Sequence, residues 1–257
     1  MCLVILAFDP NAPIPLAVAA NRDEFHARPT APADFWPEAP QLLAGRDLEA
    51  GGTWMGVTRG GRFAAITNYR DPEATAPAPR SRGELPLDFL LGDDSPADYA
   101  ARVAPRASEY AGYNLLIGSG DELWYLCNAQ DAGAPRPLTP GIYGLSNARL
   151  DTPWPKVLRG KSVISDLLHD SPSLTHDTLA TVVGDKTLAS TQALHAQGLN
   201  GEMDELLSAQ FIITPGYGTR SRTTLWCEAG GIIHWREQRF GAGGELTGED
   251  ALRLAAT

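Results

Sequence analysis

Three residues near the start of the chain, Cys2, Arg22 and Asp23, have the types and spacing to do covalent chemistry. A cysteine attacks carbonyl carbon as its thiolate, and a fixed cation beside the sulfur favours that form. The intervening sequence supplies the cation. Cys2 to Phe8 is apolar and β-compatible, Asp9 to Pro15 is proline-rich, and Leu16 to Ala20 is apolar again, the pattern of a buried hairpin. With its loop centred near Asn11 to Pro13, facing residues have numbers that sum to roughly 24. Cys2 therefore lies opposite or diagonal to Arg22, within the ~5 Å between Cβ atoms of cross-strand neighbours.

Cysteine at position two has a further consequence. The side chain is small enough for removal of the initiator methionine, which would place a free α-amine on the residue that carries the thiol. Such an amine has an ordinary pKa of about 7.7 to 8.0 and can take the thiol proton near neutrality. Asp23 can accept a hydrogen bond from the amine and orient it. A second reading stands beside this one: Cys2 as a small buried residue at a strand start, and Asn21-Arg22-Asp23-Glu24 as a strand end with solvated charges.

The elements that must position these residues follow along the chain. A second hairpin is expected from Thr53 to Thr67, turning at Arg59-Gly60-Gly61, and a third from Tyr113 to Cys127, turning at Gly118-Ser119-Gly120-Asp121. Helices are predicted over Gly83 to Leu91, Pro96 to Ala104, Trp154 to Leu168 and Leu174 to Val183. Ile142 to Ser146, Gln210 to Thr214, Thr223 to Cys227 and Ile232 to Trp235 read as strands, and Asp71 to Arg80 as a surface loop. Strands, a helical pair, strands, a helical pair and strands suggest antiparallel sheets with helices on their outer faces, in one domain spanning residues 1–257.

Composition excludes several function classes. With 31 acidic against 21 basic residues the formal charge is -10, a field that opposes nucleic acid. No apolar run is long enough to span a bilayer and no signal peptide is visible. Three scattered cysteines, Cys2, Cys127 and Cys227, form no disulfide framework, so a reducing cytoplasm is the expected compartment. His169, His176, His195 and His234 lack metal-ligand spacing, His26 reads as a surface residue, and no cofactor is implied.

Met1-Cys2 with Asn21-Arg22-Asp23-Glu24 resembles the NRDE family, also known as transport and Golgi organisation proteins of the second type. Further blocks resemble that family along almost the whole chain. They are Arg28-Pro29-Thr30, Gly45-Arg46-Asp47, Gly51 to Gly56, Thr67-Asn68-Tyr69-Arg70, Ser81-Arg82-Gly83-Glu84, Gly144-Leu145-Ser146-Asn147, Pro153-Trp154-Pro155-Lys156 and Tyr217 to Ser221. The family is in turn similar to N-terminal nucleophile hydrolases of the penicillin V acylase and bile salt hydrolase type. That kinship implies an α+β fold, a four-layer αββα sandwich. It also implies hydrolysis of a non-peptide carbon–nitrogen bond of a small molecule, with Cys2 as nucleophile, Arg22 and Asp23 tuning it, Asn68 and Asn147 stabilising the oxyanion, and Arg220 as a distal arginine.

Arg222, two residues on, is a rival for the last role. In the acylases the arginine and aspartate are separated, whereas here they are adjacent; both can serve one site only if the strand ends or bulges there. The family resemblance also implies an alternative: a non-catalytic protein that binds or traffics haem, lipid or acyl-coenzyme A. No haem-attachment motif is present, so any haem contact would be non-covalent.

Overall fold

A computed structural model describes residues 2–70, 78–129, 132–170 and 174–255 of the chain. Most of the loop expected from Asp71 to Arg80 lies outside the described residues. In chain order the elements begin with β1 (Cys2–Phe8), β2 (Leu16–Phe25), β3 (Thr30–Trp36), β4 (Ala39–Asp47), β5 (Met55–Thr58) and β6 (Phe63–Asn68). Then come α1 (Glu84–Leu91), α2 (Pro96–Val103), β7 (Tyr113–Ser119), β8 (Glu122–Cys127), β9 (Arg136–Pro137) and β10 (Gly141–Leu145). The last part holds α3 (Pro155–Asp170), α4 (His176–Ala180), α5 (Thr191–His195), α6 (Glu202–Leu206), β11 (Tyr217–Cys227), β12 (Ile232–Phe240) and β13 (Leu246–Ala255).

Two antiparallel sheets result, ordered β10-β1-β2-β11-β12-β13 and β3-β4-β5-β6-β7-β8-β9. The unbroken apolar runs of β1 and β2 are explained by cover on both faces. Val4, Leu6, Val18 and Ala20 point into the core between the sheets, against Leu43, Met55, Phe63 and Leu116. Their neighbours Leu3, Ile5, Ala17 and Ala19 pack beneath Val157 and Ile164 of α3. On the other sheet Ala64, Ile66, Leu115 and Ile117 lie under Leu85 and Phe89 of α1 and Tyr99 of α2. The architecture is an α+β sandwich of four layers, αββα.

The close seat of α3 depends on glycine. A Cβ on Gly160 would stand 2.6 Å from Ile5 Cγ1, and one on Gly144 would stand 2.5 Å from Val157 Cγ1. In the expected glycine turns, Gly61 and Gly120 adopt φ of 79° and 64°, the left-handed region that a side chain disfavours.

The observed elements differ from the expected ones in several places: the short β9, α5 and α6 were not anticipated, and the helix expected over Leu174 to Val183 is α4 followed by a 3-10 turn. The β3–β4 hairpin was not anticipated, because its sequence alternates weakly and carries Pro32 and several alanines where β-branched residues would signal a strand. Gln210 to Thr214, expected as a strand, is irregular, buried from Gln210 to Ile212 and exposed at Ile213. Phe211 N–H bonds Asp185 O and Ile212 N–H bonds the Thr219 hydroxyl, so its backbone groups find partners outside a ladder. β13 is a mostly exposed edge strand held by its pairing with β12, so burial imposes no apolar alternation on it.

Candidate active site

β1 and β2 pair with Cys2 directly opposite Arg22, the register expected from the hairpin. The next residue, Asp23, pairs on its other side with Thr219 of β11, whose hydroxyl donates to Asp23 Oδ1 at 2.6 Å. Alternation puts Arg22 and Asp23 on opposite faces of β2. Both nevertheless line a cavity of about 140 Å³ together with Cys2, Asn68, Arg82 and Trp54. The cavity lies where the β1–β2 ladder begins, at the end of the sandwich, so the two faces of β2 meet one space. β2 itself runs on to Phe25; the irregularity is in β11, between Thr219 and Ser221.

That bulge separates the two downstream arginines. Arg220 is its extra residue and lines a second cavity shared with Arg22, Thr30, Trp54 and Glu237. Its guanidinium donates to the carbonyls of Phe25 and Arg28. Arg222 pairs with Asn21 and faces the helical layer, where it lies between Phe211 and Phe240 with ring centroids at 5.2 and 5.4 Å. Residues two apart on a regular strand share a face, as the sequence would have Arg220 and Arg222 do; here one inserted residue puts them on opposite sides of the sheet.

Asn68 lines the Cys2 cavity, and its carbonyl accepts a hydrogen bond of 3.0 Å from Asn147 Nδ2. Asn147 is itself buried and lies behind Asn68, outside the cavity wall. A buried polar chain ties both sheets to the backbone of Cys2. Asn114 Nδ2 donates to Thr67 Oγ1, Thr67 Oγ1 donates to Ser146 O, and Ser146 Oγ donates to Cys2 O at 3.1 Å. His26, read as a surface residue, bonds Thr214 O.

Two cations join the site that sequence reasoning quoted only as parts of motif blocks. Lys156, in the first turn of α3, is 5 % exposed, and its ammonium donates to Leu207 O at 2.9 Å. A lysine next to Val157 on the buried stripe of an amphipathic helix was the available signal. Arg82 precedes α1, and its Nη1 donates to Gly112 O at 2.9 Å. Its signal was weaker, since an arginine before a helix is ordinarily solvated.

Burial dominates the electrostatics. It raises the Cys2 thiol above its ordinary range, with the Asp23 charge adding to the rise. The positive charge of the chain's N-terminus, Arg22 and a hydrogen bond from the Asp23 backbone N–H act against it. Burial also pushes the Asp23 carboxyl up to about 6, partly offset by the positive charge of the chain's N-terminus, then Lys156, the Thr219 hydroxyl and Arg22. Lys156 is lowered by its own burial, against the pull of Asp23 and Cys2. A resting thiol results, and a nucleophilic step then needs a base to take the proton. Among the described residues no group of three or more His, Cys, Asp or Glu side chains could hold a metal. None of the described helices is long and apolar enough to cross a membrane.

The Transport and Golgi organisation 2 family model matches residues 1–242. The chain belongs to this family. The human Transport and Golgi organization protein 2 homolog is 36% identical, over 93% of this chain and 92% of its own length. A more distant member, the Drosophila melanogaster protein, is 29% identical over 70% of this chain and 69% of its own length. Among solved structures, the fold is similar to that of the C2A mutant of conjugated bile acid hydrolase from Clostridium perfringens. The TM-score is 0.57 at 9% identity, over 98% of this chain and 92% of that one. It is also similar to the Caenorhabditis elegans ortholog of N-acylethanolamine-hydrolyzing acid amidase, with a TM-score of 0.53 at 10% identity, over 89% of this chain and 93% of that one. The chain thus shares the sandwich fold of these two hydrolases.

Proposed function

We propose that the chain is a cysteine amidohydrolase acting on a non-peptide carbon–nitrogen bond of a small molecule. One observation carries the reading: Cys2, Arg22 and Asp23 line a single cavity in a fold similar to that of amide hydrolases. Loss of Met1 leaves the α-amine of Cys2 free to accept the thiol proton. The sulfur attacks the amide carbon, and the oxyanion that forms is met by the Asn68 side-chain amide. Collapse breaks the carbon–nitrogen bond, the leaving amine takes the proton from the α-ammonium, and a thioester remains on Cys2. Water then attacks the thioester, gives a proton to the amine and a hydroxyl to the carbonyl carbon, and restores the thiol. Arg22 favours the thiolate, Asp23 orients the amine, and Arg220 steadies the strand ends from the adjoining cavity.

The experiment is intact-mass analysis joined to an acyl-transfer probe and a panel of N-acyl amides. Loss of Met1, labelling at residue 2 and loss of both labelling and turnover in Cys2→Ala are expected. Active protein that retains Met1, or a Cys2→Ala protein that still cleaves the amide, overturns the mechanism. Tight binding of haem or acyl-coenzyme A to wild type and Cys2→Ala alike, without turnover of any amide, would instead favour a carrier built on the same fold.

A further inference from the structure

We propose that the ligand of the Cys2 cavity carries a carboxylate or phosphate group, and that Arg82 receives it. The reasoning starts from the charges on the cavity wall, which include Arg22, Arg28 and Arg82 against Asp23, Glu24 and Asp47. Arg28 is satisfied within the protein: its Nε and Nη2 stand 2.9 and 2.8 Å from Asp47 Oδ2, and its Nη1 stands 3.3 Å from Glu49. Arg22 donates to Thr30 Oγ1 at 3.2 Å and has Glu24 at 4.0 Å. Arg82 differs from both. It is half-buried and lowered below the ordinary arginine range by that burial, and it has no carboxylate at ion-pair distance among the described residues. The charges that act on it are Cys2, Glu24 and Arg28, and Glu24 spends one carboxylate oxygen on the Phe25 N–H at 2.9 Å.

A guanidinium offers five N–H donors in a planar fork, and among the described residues the hydrogen-bond partner of Arg82, the Gly112 carbonyl, engages Nη1 alone. A partly desolvated guanidinium without a counterion is costly, and a bound anion relieves that cost through charge-assisted hydrogen bonds. The residue is also held rigidly. Gly52 and Gly83 meet so closely that a Cβ on Gly52 would fall 2.4 Å from the carbonyl of Gly83, and Thr53 N–H bonds that carbonyl at 3.0 Å. The loop bearing Arg82 is thereby pinned against the strand entering β5. In a chain of net charge -10, an exposed surface would repel an anion, so a cationic receptor inside the cavity is what allows one to dwell there.

This names the ligand class for the site of the hydrolase reading and rests on that reading only for the ligand's fate. The test uses the full chain as Cys2→Ala, to prevent turnover, and three probes: N-hexanoylglycine, its neutral carboxamide N-hexanoylglycinamide, and inorganic phosphate. Binding is followed by calorimetry and by thermal shift. The acid should bind about ten- to a hundredfold more tightly than the carboxamide, and phosphate should compete with it. Arg82→Met should erase the preference and Arg82→Lys should keep part of it. Equal binding of acid and carboxamide, no binding of the acid or phosphate at millimolar concentration, or a preference unchanged in folded Arg82→Met each overturn the proposal. The acid-to-carboxamide ratio needs no arginine variant, so it stands even if Arg82→Met fails to fold. Failure of the hydrolase reading shows separately, as turnover that survives Cys2→Ala.

Discussion

Asp23→Asn should make the protein more stable near neutral pH while disabling the proposed chemistry. The carboxyl is 1 % exposed and is raised from an ordinary value of 3.8 to about 6, burial being the largest cause. The folded state therefore holds this proton more tightly than the unfolded chain. The stability it contributes is whole below about pH 4 and is lost as pH rises through about 6. The gap between the two values corresponds to about 3 kcal/mol at pH 7.5, where the buried carboxylate is ionised. Attraction to Lys156 and Arg22 is already contained in that figure. Asparagine keeps an oxygen for the Thr219 hydroxyl and carries no charge. The variant should then gain up to about 3 kcal/mol over wild type at pH 7.5, the gain shrinking to nothing near pH 4. Urea unfolding of both proteins at half-unit steps from pH 4 to 8, with matched m-values, measures it. A variant no more stable than wild type at pH 7.5, or parallel pH dependences, would refute the claim that this carboxylate is held ionised against its surroundings.

Other consequences can be checked with the same proteins. Lys156→Met removes a positive charge that lowers the Asp23 carboxyl, so the titration of that carboxyl, near pH 6 in wild type and followed by its carboxyl carbon shift in NMR, should move to higher pH; an unmoved titration would show that the ammonium does not act on Asp23. Gly160→Ala drives a methyl to 2.6 Å from Ile5 and should cost about 1 to 3 kcal/mol in urea unfolding. Arg222→Met replaces a buried guanidinium whose Nε has no hydrogen-bond partner among the described residues, and it should leave stability unchanged or improved and turnover intact. Arg220→Met should instead lower turnover, because Arg220 braces the carbonyls of Phe25 and Arg28 beside Arg22. Equal effects of the two substitutions in a turnover assay would contradict the assignment by the bulge.

Much of the architecture was legible because burial writes itself into residue type. β1 and β2 are covered on both faces and are apolar throughout, and glycines mark the turns before β6 and β8, so the hairpins and their register could be read directly. Helices α1, α2 and α3 carried the expected apolar stripes. β13 escaped because its order comes mainly from pairing with β12, and β3 and β4 because Pro32 and several alanines stand where β-branched residues would signal a strand. The segment from Gln210 to Ile212 misled for the opposite reason, since it is buried without belonging to a sheet.

From the chain alone came the partnership of Cys2 with Arg22, since a hairpin's pairing depends on the length between its strands. The αββα layering could be inferred from element order, and the family from its motif blocks. Folding decided what surrounds that pair: Lys156 more than a hundred residues away, Arg82 from the loop before a helix, and the single inserted residue that turns Arg220 toward Arg22 and leaves Arg222 behind. Such contacts depend on how layers seat on one another, through the glycine contacts of α3 and of Gly52 with Gly83, and local residue patterns do not encode that seating.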